Sequence, residues 1–87
     1  MKSNWRLLLG RALEEHGESW SDVEASTMTE ENMEKDFDSG YAGTLGCPFT
    51  VWTKRRVYFP VCYDYSAWVG SVSRHPDGKP TEHQGGQ

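Results

Sequence analysis

Residues 49–72 read FTVWTKRRVYFPVCYDYSAWVGSV. β-Branched and aromatic residues crowd the stretch, and two short polar breaks, Lys54-Arg55 and Asp64-Tyr65, divide it into three runs. Such residues suit a pleated, half-buried backbone, so the pattern predicts strands over 49–53, 56–63 and 66–72. Connections this short make an antiparallel meander the economical topology. Pro60 conflicts with that order, because it brings no N–H to a ladder and the second strand of a meander is central. The conflict calls for a different strand order or a break at Pro60. One face of the second strand would carry Val57, Phe59, Val61 and Tyr63. The other would carry Tyr58, Pro60 and Cys62, beside Trp52 or Trp68.

Working back toward the N-terminus, Trp5, Leu8, Leu9, Ala12 and Leu13 fall at i, i+3, i+4, i+7 and i+8, the apolar stripe of an amphipathic helix. Ser3 or Asn4 can cap it, Gly17 can stop it, and His16 stands where a helix C-terminus favours a cation. Residues 18–26 alternate poorly and read as an extended connection. Thr29 caps a second, short helix with Glu30 and Glu31 in its first turn, and Met28 and Met33 have the spacing of a hydrophobic staple. Phe37 follows Met33 at i+4, the helix ends before Gly40, and most of its surface is wet and negative. Residues 38–46 hold three glycines but follow no strand and precede no Gly-Lys-Ser/Thr, so they read as a flexible joint and not a phosphate loop. After Ser73 no apolar residue remains beyond prolines and glycines, which predicts a mobile tail. The expected fold is α+β: an N-terminal amphipathic helix, a short acidic helix and a three-stranded antiparallel sheet, with one domain over 1–73 and a tail over 74–87.

Charge is divided along the chain. Residues 1–43 carry ten carboxylates against four cations, a net of −6, while residues 44–87 carry five cations against three carboxylates, a net of +2. Such a molecule repels nucleic acid from one surface and attracts basic proteins to it. Apolar content of 36% is low and aromatic content of 13% is high, so a few large rings must supply much of the core. No run approaches a membrane span and no signal-peptide pattern opens the chain, so a cytoplasmic location with Cys47 and Cys62 as free thiols is expected.

No catalytic constellation stands out. Cys47, Cys62, His16, His75 and His83 form neither a Cys-x-x-Cys pair nor a helical histidine pair, so neither a metal site nor a cofactor is expected. Cys62 between Val61 and Tyr63 reads as a small core residue. The carboxylates cluster on a wet helix instead of facing each other across a cleft, and no enzyme is expected. Both sheet faces hold large apolar groups while only two short helices exist to cover them. Either the domain wraps tightly or one aromatic patch, of interaction-hot-spot composition, stays exposed. The candidate partner-binding residues are Glu30, Glu31, Glu34, Asp36 and Asp38 on the acidic stretch, with Trp52, Tyr58 and Trp68 on the sheet. An alternative uses the sheet aromatics beside Lys54, Arg55 and Arg56 to stack bases, but three clustered cations in a chain of pI near 5.2 make direct nucleic-acid binding unfavourable.

In its size, the acidic stretch Glu30–Asp38, the glycine-rich joint and the compact aromatic segment, the chain resembles the small acidic accessory proteins of bacteriophages and mobile elements, anti-CRISPR and anti-restriction proteins among them. That resemblance implies a non-enzymatic inhibitor, a monomer or homodimer. It would occupy a host protein or nucleoprotein complex in the host cytoplasm, with its acidic face standing in for nucleic-acid phosphates.

Overall fold

Asn4 starts the first helix. Its side chain accepts the Leu7 N–H at 2.9 Å, one of the donors that a helix start leaves without a partner, and α1 then spans Trp5–Glu15. The computed structural model describes residues 2–38, 46–63 and 66–84. The stop of α1 is equally local. Gly17 takes φ +70°, its N–H donates to the Glu14 carbonyl, and the Glu18 N–H reaches back to Leu13, the paired bonds of a Schellman close. The stripe expected from the sequence faces inward: Trp5, Leu9, Ala12 and Leu13 are buried, and Leu8 packs beside them.

Residues 18–26 are more than a connection. A 3-10 turn over Trp20–Asp22 is closed by Asp22, whose carboxylate accepts the Ser19 N–H at 2.8 Å. Strand β2, Val23–Ser26, follows it, after the two-residue strand β1, Lys2–Ser3. Three of the four β2 residues are exposed, and a register shift between Val23 and Ala25 interrupts the pleat. An edge strand with a bulge leaves no hydrophobic alternation to read. The sheet therefore has four strands, one more than the sequence suggested.

The second helix, α2, is Glu30–Glu34, shorter than expected. Thr29 caps it by accepting the Asn32 N–H at 3.1 Å, while the Asn32 side chain accepts the Thr29 N–H. Phe37 is not in this helix. It belongs to β3, Phe37–Asp38, which pairs with β1, and its ring packs 4.9 Å from that of Trp5. Burying the ring against Trp5 decides the helix end. Met28 and Met33 both join the core. Most of the glycine-rich joint lies outside the described residues.

The three central strands form close to where expected: β4 is Val51–Thr53, β5 is Arg56–Tyr63 and β6 is Ser66–Ser73, in the antiparallel order β2-β4-β5-β6. The connection over 64–65 lies outside the described residues. Pro60 is accommodated without a break. The Arg56 N–H points toward β4, where Thr53 Oγ1 accepts it at 2.9 Å, and the period of two puts the Pro60 nitrogen on the same edge. Strand β4 reaches only as far as Tyr58, so the missing donor faces a side with no strand.

Cross-strand partners share a face, so the register sorts the side chains. Val51, Tyr58, Ala67 and Val69 join the core under the two helices. Trp52, Val57, Phe59, Val61, Trp68 and Val72 point the other way. Trp52 and Trp68 therefore stand with Val57 and Val61, not beside Tyr58. Beyond the last strand, Arg74 and His75 remain tied in: Arg74 donates from its backbone to the Arg55 carbonyl at 2.8 Å, and His75 Nε2 lies 3.2 Å from the Lys54 carbonyl.

Candidate functional site

The outer face of the sheet is the first candidate surface. Both helices pack on the inner face, and among the described residues no element lies over the outer one. Trp52, Val57, Phe59 and Val72 are half-buried there, and Trp68 is 36% exposed. The Phe59 ring and Val61 close over Gly70 so tightly that no side chain fits at that position. The face is thus an aromatic and aliphatic surface held in place by its own packing, a composition typical of the central residues of protein interfaces.

Of the residues expected to contact a partner, Trp52 and Trp68 lie on this face. Tyr58 does not. It is fully buried on the inner face, and its ring meets that of His16 at 6.1 Å. The one-residue step from Val57 to Tyr58 crosses the sheet, which places a residue flanked by surface groups in the core.

Tyr58 instead belongs to a polar hub built on Glu18, a residue that the sequence did not single out from its neighbouring carboxylates. The Schellman close of α1 turns Glu18 inward, leaving it 5% exposed. Its Oε1 accepts from the Tyr58 hydroxyl at 2.5 Å and from Thr53 Oγ1 at 3.1 Å, and its Oε2 lies 3.5 Å from Arg55 Nε. Burial, then the hydrogen bond to Glu18 and its charge, push the Tyr58 hydroxyl pKa well above 10.0. Glu18 thereby fastens the end of α1 to the β4–β5 hairpin. A carboxylate with its lone pairs engaged in this way is a structural anchor.

The acidic helix lies on the helical side, opposite the aromatic face. Glu30, Glu31, Glu34 and Asp36 are all exposed. Glu34 pairs with Arg6 at 3.6 Å, and Asp36 accepts from Asn4 Nδ2 at 3.1 Å. Glu30 and Glu31 have no such bond among the described residues. Arg6 also caps the Trp20 ring at 5.3 Å. The backbone of Asp38 stands opposite that of Lys2 in the β1–β3 ribbon. The acidic and aromatic candidates therefore form two surfaces, not one.

Two of the three clustered cations, Arg55 and Arg56, are turned toward the helical side. Arg55 faces Glu18, and Arg56 Nε donates to Ser71 Oγ at 3.0 Å, which in turn lies 3.1 Å from His16 Nε2. Desolvation, followed by the charge of Arg56, lowers the His16 pKa from 6.5, so it is a poorer cation for the helix end than its position implied. Cys47 is half-buried and Cys62 is exposed, not a core residue, and both are free. Cys62 lies one residue from the end of β5, and its side chain is exposed although its cross-strand partner Ala67 packs against the core. Among the described residues no group of three His, Cys, Asp or Glu side chains could hold a metal ion, and no helix is long and apolar enough to cross a membrane. Comparison with protein-family models, curated proteins and solved structures finds no match to this chain.

Proposed function

We propose that the chain is a non-catalytic binding protein that docks on a partner protein through the outer face of its sheet. The observation that carries this reading is the outward-facing aromatic row Trp52, Phe59 and Trp68 on a domain whose described helices pack on the other side. The exposed carboxylates Glu30 and Glu31 add a long-range attraction toward basic surfaces, which raises the association rate more than it raises affinity. Together with the resemblance to phage accessory proteins, this favours a host nucleic-acid-handling complex as target and inhibition by occupancy as the mode of action.

Base stacking on the same rings is less well supported. A single-strand platform needs cations beside its aromatics, and Arg55 and Arg56 are engaged with Glu18 and Ser71 on the opposite side. Affinity capture from host lysate, with the wild type and the Trp52→Ser/Trp68→Ser variant side by side, tests the reading. A specific protein retained by the wild type and lost by the variant supports it. Equal retention, or retention of nucleic acid alone, refutes it.

A further inference from the structure

Among the described residues the sheet has two unpaired edges, β2 and β6, and they differ in kind. Strand β2 is four residues long, carries a bulge, and places Glu24 in an ion pair with Arg74, features that discourage further pairing. Strand β6 runs eight residues, Ser66–Ser73, with no charge and no proline. Its unpaired backbone groups can be identified by parity. The Arg55 carbonyl accepts the Arg74 N–H, so odd-numbered residues of β5 turn their polar groups toward β6. The register pairs Val57 with Val72 and Val61 with Trp68, so the even-numbered residues of β6 answer them. Ala67, Val69, Ser71 and Ser73 therefore direct N–H and C=O outward. Residues 76–84 arch past the Ser71–Ser73 end, but among the described residues they make no backbone hydrogen bond to it.

Charge placement favours a second copy of this chain as the occupant. The α2 residues Glu30 and Met33 line a cleft with Val23, Ser26 and Val51, which puts the acidic helix over the β2–β4 side. Two copies joined at β6 would hold their acidic helices at opposite ends of the joint sheet, so a chain of net charge −4 meets itself along a strand that carries no charge. A twofold axis normal to the sheet also keeps each face on its own side, and the apolar outer row of one copy continues into the next.

We propose that the protein forms a homodimer by antiparallel pairing of β6 with β6 of a second copy, on a twofold axis at Gly70. That register sets Val69 opposite Ser71 and Ala67 opposite Ser73, and it engages all four outward-facing residues. Centring on Val69 instead would strand Ser73. On the outer face Trp68 meets Val72 of the second copy, and the eight-stranded sheet carries one continuous apolar surface. The dimer forms whatever partner that surface meets.

Analytical ultracentrifugation of the full chain from low to high micromolar concentration tests the inference, with amide hydrogen exchange at both extremes. The expected result is a species of twice the 9.9 kDa chain mass at high concentration, with the amides of Val69 and Ser71 exchanging more slowly than in dilute protein. Val69→Pro removes an outward N–H that β5 does not use, and it is expected to be folded by circular dichroism and monomeric. A 9.9 kDa species at every concentration overturns the proposal. So does a dimer whose Val69 amide gains no protection, or a folded Val69→Pro that still dimerises. If Val69→Pro does not fold, the exchange measurement on the wild type decides.

Discussion

Replacing Glu18 tests whether the buried hub holds α1 to the hairpin. In Glu18→Ala the Tyr58 hydroxyl, fully buried, loses its acceptor, while the Thr53 hydroxyl can turn to the Arg56 carbonyl at 3.3 Å. One orphaned buried hydroxyl costs about 1–3 kcal/mol. Loss of the one buried methylene adds about 0.8 kcal/mol. The expected destabilisation of about 2–4 kcal/mol is a large part of the roughly 4–13 kcal/mol available to a chain of this length. Glu18→Gln keeps a carbonyl acceptor for Tyr58 and loses only charge assistance, for about 1 kcal/mol. Urea denaturation followed by circular dichroism measures both. A double-mutant cycle with Tyr58→Phe is expected to return a coupling of about 1–2 kcal/mol. Destabilisation by Glu18→Ala of less than about 0.5 kcal/mol, or equal losses for Ala and Gln, would refute the hub as an anchor.

Further tests address other parts of the account. The His16 pKa is lowered in the folded state, so the unfolded chain takes up the proton first. Stability is therefore expected to fall as pH drops through 6.5, and His16→Gln should flatten that dependence in urea midpoints at pH 7.5 and 5.5. The Tyr58 pKa is raised, so its contribution is present below pH 10 and lost above it; absorbance titration should show one phenol ionising only with unfolding, absent in Tyr58→Phe. Gly46 has φ +67°, and a Cβ there would collide with the Trp5 indole nitrogen, so Gly46→Ala should cost about 2–4 kcal/mol in urea denaturation. Single-stranded oligonucleotides should leave tryptophan fluorescence unquenched at physiological salt; saturable, salt-dependent quenching lost in Trp68→Phe would promote base stacking instead.

Local signals in the sequence marked α1 completely, because its stripe, cap and glycine stop all lie within a few residues of one another. The three central strands were legible for the same reason, as runs of β-branched and aromatic residues between polar breaks. Strand β2 was not, since an exposed, bulged edge carries no alternation. The end of α2 depended on a contact between Phe37 and Trp5 that no local window contains. Among the candidate site residues, Trp52 and Trp68 were identifiable as sheet aromatics. Their common face, and the exclusion of Tyr58 from it, followed only from the register. Glu18 was hidden among ten carboxylates in the first half of the chain, and only the inward turn after Gly17 distinguishes it.

The four tryptophans occupy three environments, which allows one direct measurement of the binding face. Trp5 is in the core, Trp20 is 38% exposed on the helical side, and Trp52 and Trp68 lie on the outer sheet face. Hydroxyl-radical footprinting of the protein, free and bound to its captured partner, reads each ring by mass spectrometry. The account predicts that oxidation of Trp52 and Trp68 falls on binding while Trp20 is unchanged. Protection of Trp20 with Trp52 and Trp68 oxidised as in the free protein would contradict it.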